Sequence, residues 1–296
     1  MPFIDIHTHA SIYQVIPHRD GFYFITPEEL VATMDRNGVD MAVVLPLVSP
    51  SQRTVIIPTE QVMAACARYP DRLIPFMNID PRQEQYSLAS DFSRTVRLYQ
   101  EHGCKGVGEV TTNLPFDDPL VWHLFEFYER AELPLIFHVA AQVGNYYGLM
   151  DDLGLPRLER TLARFPKLRF LGHSQCFWSE ISADVTSETR GGYPSGPVTP
   201  GRVPALMRCY PNLCGDLSAG SGLNAISRDP AFGYRFLQEF QDRLFFGTDL
   251  LRIGQEMPQV DYLKDAVQKG AISKTAYEKI TWENAARLLG IGELGN

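Results

Sequence analysis

Phe3-Ile4-Asp5-Ile6-His7-Thr8-His9 stands at the head of the chain. Phe3 to Ile6 reads as a short buried strand, and two histidines follow where that strand ends. Side chains at i and i+2 of a strand point to the same side. His7 and His9 therefore aim two imidazoles at one point, with Thr8 turned away. Two neutral imidazoles converging in this way are a natural ligand pair for zinc or a similar divalent ion. A bare H-x-H also arises by chance from two ordinary histidines, so the rest of the chain has to decide.

Outward from this stretch the sequence settles into a rhythm. Residues 10–25, with Tyr13, Pro17, His18, Arg19 and Gly21, read as a loop over the mouth of whatever the first strand feeds. Thr26-Pro27-Glu28-Glu29 opens a helix: an N-cap, a proline at the first position and two acids in the first turn. Asn37-Gly38 ends it. Short apolar runs then begin near residues 40, 72, 104, 133, 167, 212 and 243. Helices are expected between them over 58–69, 85–102, 118–131, 156–165, 202–210 and 230–240. Three more fill 258–269, 274–281 and 283–289. The runs start about 30–45 residues apart, the size of one βα unit. Eight such units in one chain predict an α/β fold with a closed (β/α)8 TIM barrel, in a single domain over 1–296. A doubly wound open sheet is the alternative, but no G-x-G-x-x-G follows a strand to mark a nucleotide site. The connection over 174–201 is out of scale. Following strand six, it falls on the catalytic face and reads as a wall or lid.

The composition narrows the partners. The 296 residues carry a formal net charge of −8 and no long basic run, which disfavours nucleic acid and anionic membranes. Five cysteines without regular spacing suit a reducing compartment rather than a disulfide framework. No signal-like or membrane-spanning segment is seen. A cytoplasmic enzyme of small molecules is the expectation, with homo-oligomerisation left open.

In barrels of this kind the chemistry sits at the C-terminal ends of the strands. Those ends hold His7, His9, Glu109, His138, His173 and Asp249, which takes in four of the seven histidines. Each alone could be a packed histidine, a turn carboxylate or a helix cap; together they read as one site. His18 and His123 read as surface or structural residues, and His102 suits a helix C-terminus. Arg190 in the long connection and Arg252 after Asp249 are candidate substrate cations, each with a surface ion pair as its simpler role. Trp178, with Phe177 and Tyr193, is a candidate aromatic wall for the substrate, where packing of the lid is the alternative. Cys176 reads as a buried thiol rather than a nucleophile.

Asp5-Ile6-His7-Thr8-His9, His138, His173 and Phe246-Gly247-Thr248-Asp249, closed by Asn284-Ala285-Ala286-Arg287-Leu288-Leu289, resemble the amidohydrolase superfamily. The nearest branch is the amidohydrolase-2 group of metal-dependent TIM-barrel proteins, and the resemblance covers essentially the whole chain. It implies that His7, His9, His138 and Asp249 hold a divalent metal, while His173 binds a second metal or the substrate. One departure matters. Single-metal members of the branch usually lack a carboxylate ligand on strand four, whereas Gly108-Glu109-Val110 places one there, similar to TatD-like hydrolases. Glu109 would then bridge one ion on His7, His9 and Asp249 and another on His138 and His173, or stand aside from a single-ion site.

The expected chemistry is hydrolysis of an amide, lactone, ester or phosphoester by metal-activated water. Asp249 would act as general acid and base, and the metal, helped by His173 where that residue is not a ligand, would polarise the substrate oxygen. Zinc is the first candidate, one or two ions per chain, with manganese or iron as alternatives. Non-oxidative decarboxylation of a small carboxylic acid at one metal is the second expectation. A non-catalytic metal-binding barrel is the third, disfavoured by so complete a ligand set.

Overall fold

The computed structural model describes residues 2–49 and 55–292, so the outermost residues of the expected 1–296 domain lie outside it. Strand β1 (Ile4–Thr8) is buried throughout and pairs in parallel with β2 (Met41–Val44), which pairs with β3 (Leu73–Pro75). A second run contains β4 (Val107–Val110) and β5 (Leu135–Ala140), with a two-residue strand β6 (Leu149–Met150) alongside β5. It continues through β7 (Phe170–His173), β8 (Leu213–Asp216) and β9 (Leu244–Phe245), all parallel.

Two seams close these runs into a barrel. At one, Met77 bridges to Val107, and the Met77 amide donates to the Gly106 carbonyl at 2.9 Å. At the other, Thr8 bridges to Leu250; the amides of Ile6 and His9 donate to the carbonyls of Phe246 and Leu250 at 3.0 and 2.9 Å. The expected eight-stranded parallel barrel is present, with β6 as an addition that the sequence rhythm did not announce.

The barrel interior is apolar. Ile4, Ile6, Val43, Leu45, Phe76, Ile136, Leu171 and Phe245 pack together there, and Ala285, Ala286 and Leu289 of helix α12 join them. Ile4 and Ile6 belong to this interior, yet His7 and His9 turn towards the mouth. The change of phase falls between Asp5 and Thr8, where the pairing of β1 with β2 shifts register. An irregularity of this kind re-aims the side chains beyond it.

The surrounding helices follow their start and stop signals. Helix α1 (Pro27–Asn37) has a capping box between Thr26 and Glu29 and ends on Gly38 at φ 71°. Next come α2 (Thr59–Cys66) and α3 (Ser93–Glu101). The expected helix over 85–102 is thus reduced to its second half. Ser87, Ser90 and Asp91 accept hydrogen bonds from neighbouring backbone amides, which competes with helix formation. Helices α4 (Pro119–Arg130) and α5 (Pro156–Arg164) follow, then a short α6 (Gln175–Trp178), α7 (Arg202–Cys209) and α8 (Ala219–Ser227). The chain finishes with α9 (Pro230–Glu239), α10 (Pro258–Gln268), α11 (Lys274–Glu278), a π turn and α12 (Asn284–Leu289).

Helix α8 has no counterpart in the sequence reading, because Ala219-Gly220-Ser221-Gly222 has the composition of a loop. Its glycines answer to packing: a Cβ on Gly222 would lie 2.3 Å from the Leu217 carbonyl carbon. Residues 182–200 remain a connection without regular helix or strand, but α6 and a following 3-10 turn are buried against the barrel. No helix among the described residues is long and apolar enough to cross a membrane.

Asp5 fastens the closing seam. It is fully buried and accepts hydrogen bonds from the His7 amide, the Thr248 amide and the Thr248 hydroxyl. Replacing Thr248 by Val keeps the shape but strips one partner from a buried carboxylate. A loss of about 1–3 kcal/mol is expected, measured as a lower urea midpoint at unchanged slope.

Candidate metal centre

The strand ends bring His7, His9, Glu109, His138, His173 and Asp249 to one place. His7 Nε2 and His9 Nε2 stand 3.2 Å apart, and each lies 3.6 Å from Asp249 Oδ1. Glu109 faces this trio with Oε2, 3.6 Å from His9 Nε2 and 4.0 Å from His7 Nε2. Its Oε1 accepts a hydrogen bond from His138 Nδ1 at 2.6 Å and lies 3.8 Å from His173 Nε2. Two candidate ligand groups result: His7, His9 and Asp249, and Glu109, His138 and His173. His138 therefore falls with Glu109 and His173 rather than with His7 and His9.

Local geometry prepares these groups. His9 Nδ1 donates to the Leu45 carbonyl at 3.0 Å, which leaves Nε2 as the nitrogen free to bind. Gly148 passes so close to His138 that a Cβ there would sit 2.7 Å from the ring. Asp249 adopts φ 56°, an uncommon backbone conformation for a residue with a side chain.

The electrostatics call for a cation. Burial opposes charge on His7, yet Asp216, Asp249 and Glu109 outweigh it and hold its pKa up at about 10. Burial also opposes ionisation of Glu109, but His138, His9 and His7 keep its carboxyl well below the usual range. Burial pushes His173 down to about 3, and the charge on His7 adds to that. Asp249 is pushed up by burial despite His7 and His9, and its Oδ1 is buried without a hydrogen-bond partner. An orphaned carboxylate oxygen aimed at two imidazole nitrogens is what a divalent ion would satisfy. Two metal–nitrogen bonds of about 2.0–2.1 Å at a near-tetrahedral angle span roughly the separation found between the two Nε2 atoms. The donor set of imidazole and carboxylate fits zinc, manganese or iron. Ligands must be unprotonated, so an ion between Glu109 and His138 would replace the proton that joins them.

Beside Asp249 opens a cavity of about 500 Å³. Phe22, Phe24 and Tyr147 line it, together with Arg252, Gln255 and Gly220. Arg252 lies 5.5 Å from the Phe22 ring. Arg190 and Trp178, also expected at the substrate, are buried and do not line this cavity. Arg190 is 2% exposed; it meets Glu180 at 2.9 Å and donates to the Asp151 carbonyl at 2.8 Å. Trp178 is 1% exposed, packs against Phe177 and Phe236, and donates from Nε1 to the Asp216 carbonyl. Both serve the packing of their own segment. Tyr193 of that connection comes beside Gly220, which lines the cavity. Its ring lies against Gly220, and its hydroxyl accepts from Gln175 Nε2 at 3.1 Å.

Asp216 and Ser218 are absent from the sequence reading. Asp216 Oδ2 lies 2.6 Å from His7 Nδ1, and Ser218 Oγ lies 2.9 Å from His173 Nδ1. The available signal was position, since Gly215-Asp216 ends β8 much as Gly108-Glu109 falls near the end of β4.

A family model described as Amidohydrolase, that of the amidohydrolase-2 group, matches residues 4–291. The chain belongs to this family. Among solved structures it is similar to an uncharacterized TIM-barrel protein of Bordetella bronchiseptica (TM-score 0.66, 19% identity, 98% of this chain and 99% of that one). It is also similar to a probable 2-pyrone-4,6-dicarboxylic acid hydrolase of Acinetobacter baumannii (0.62, 15%, 98% and 100%). A dihydroxybenzoic acid decarboxylase of Polaromonas with bound manganese is a further neighbour (0.61, 16%, 98% and 97%). At these identities the structural likeness shows the TIM-barrel fold alone. No curated protein matches the chain significantly.

The two arginines should separate on substitution. Arg190→Ala leaves Glu180 buried without its cation and should cost about 3–5 kcal/mol of stability. Arg252→Ala, on the cavity wall, should stay within about 0.5 kcal/mol. Urea denaturation of both variants makes the comparison.

Proposed function

We propose that this protein is a metal-dependent hydrolase acting on a small molecule, with zinc as the first candidate ion. His7, His9 and Asp249 would hold one ion, and His138 and His173 a second, with Glu109 between them. The observation that carries this reading is the Glu109 carboxylate, whose two oxygens address the two groups separately. Two adjacent dipositive ions repel strongly unless anionic ligands lie between them. A single-ion site has no such need.

A bound ion supplies Lewis acidity and makes water a usable nucleophile near neutral pH. The remaining steps belong to the side chains. Asp249, with Oδ1 turned to the ion that His7 and His9 would share, would use its other oxygen to take a proton from the attacking water and return it to the leaving group. His173 has Nδ1 engaged by Ser218, so Nε2 is the nitrogen that would hold the second ion or, in a single-ion site, polarise the reacting oxygen. Phe22, Phe24 and Tyr147 would pack the body of the substrate in the cavity, away from water, and the segment 174–201 would close one side through Tyr193.

Non-oxidative decarboxylation is the second reading, and Arg252 is the observation that favours it. It places a cation on the cavity wall where a substrate carboxylate could dock.

Ion counting separates the two. A hydrolase of this design should bind two ions per chain. Glu109→Gln, which keeps shape and removes charge, should then drop the count towards one and take most of the rate with it. One ion per chain in both proteins, with turnover unchanged, would favour the decarboxylase. The double change His7→Ala, His9→Ala should abolish binding at the first site, and a chelator should inactivate the unaltered enzyme reversibly. Full turnover by metal-free protein would overturn both readings.

A further inference from the structure

Asp216 ends the seventh barrel strand behind the metal centre, fully buried and facing two of its histidines. Oδ2 is 2.6 Å from His7 Nδ1 and 3.5 Å from His173 Nδ1. Oδ1 accepts from the Ser218 amide at 3.0 Å, and the Ser218 hydroxyl meets His173 Nδ1 at 2.9 Å. The carboxylate is itself held. Trp178 Nε1 donates to the Asp216 carbonyl at 2.8 Å, and a Cβ on Gly247 would stand 2.8 Å from Oδ1. The segment after β9 thus needs a glycine there to leave the carboxylate room.

We propose that Asp216 is a positioning residue: it decides which nitrogen of His7 faces the metal and, through Ser218, orients His173. The proposal rests on the reading of His7 as a metal ligand. An ionised carboxylate only accepts hydrogen bonds, so His7 Nδ1 must be the proton-bearing nitrogen. Nε2 is then left for the ion, on the side where His9 Nε2 and Asp249 Oδ1 lie. One carboxylate in this way aligns a histidine from each ligand group. His7, His173 and Asp216 are also close enough to hold an ion themselves. That arrangement would spend His7 Nδ1 on the ion and leave a proton on Nε2, facing His9 and Asp249. Sidedness therefore favours Asp216 as a support behind the ligands. Partners of this type typically affect metal affinity by about 10–100-fold.

The test uses the full chain, zinc and the variants Asp216→Asn and Ser218→Ala. Affinity and stoichiometry come from competition with a chelator, and ring protonation from 15N spectra of histidine-labelled, zinc-loaded protein. In the unaltered protein His7 should show a proton on Nδ1 and a coordinated Nε2. Asparagine can accept from or donate to Nδ1, so Asp216→Asn should weaken zinc binding about 10–100-fold at unchanged stoichiometry and mix the two forms of His7. Ser218→Ala should disturb His173 and leave His7 as it was, which also covers the case in which Asp216→Asn does not fold. Unchanged affinity and an unchanged His7 pattern in Asp216→Asn would overturn the proposal. So would the loss of one whole ion per chain, which would make Asp216 a ligand; for Ser218→Ala, an undisturbed His173 would overturn its part. An unaltered chain that binds no zinc would instead overturn the functional reading on which the proposal rests.

Discussion

Three carboxylates and four imidazoles share one buried space at the mouth of the barrel, and their mutual compensation is the constraint on which the rest depends. Each carboxylate would be costly there alone, because burial without a partner penalises the charged form. Glu109 is relieved by His138, and Asp216 by His7. Asp249 is relieved least, and its Oδ1 has no hydrogen-bond partner. The cluster is thus nearly balanced, short of positive charge at one spot, and that spot faces the nitrogens of His7 and His9.

Such a cluster needs a rigid support, and the barrel provides one. Closure at both seams removes free sheet edges. The apolar filling of Ile4, Ile6, Val43, Phe76 and Ile136, closed by α12, keeps the strands at fixed separations beneath the polar layer. The register shift in β1 converts this apolar alternation into a pair of histidines aimed at the mouth. Asp5, buried under that shift, ties it to Thr248 across the closing seam. The same device that completes the fold therefore holds the candidate ligands.

The segment after β7 shows how burial separates residues of similar type. Arg190 looks like a lid cation, yet it lies beneath its own loop with Glu180 and the Asp151 carbonyl. Trp178 looks like an aromatic wall, yet its indole supports the backbone of Asp216. Arg252, by contrast, lines the cavity together with Asp249. The difference is burial, which depends on how 174–201 folds back on the barrel rather than on residue type.

The sequence by itself determined the architecture and the six groups at the strand ends. Both are carried by local regularities: apolar runs at a βα spacing, caps such as Thr26 and Gly38, and polar residues placed where each run stops. It also carried the family, through motifs spread over the whole chain. Tertiary structure decided the pairings. That His138 goes with Glu109 and that Asp216 stands behind His7 are facts about strands far apart in sequence brought side by side. Hydrogen bonds spanning 29 and 209 residues leave no local trace, because nothing in either segment encodes the distance to the other until the barrel closes.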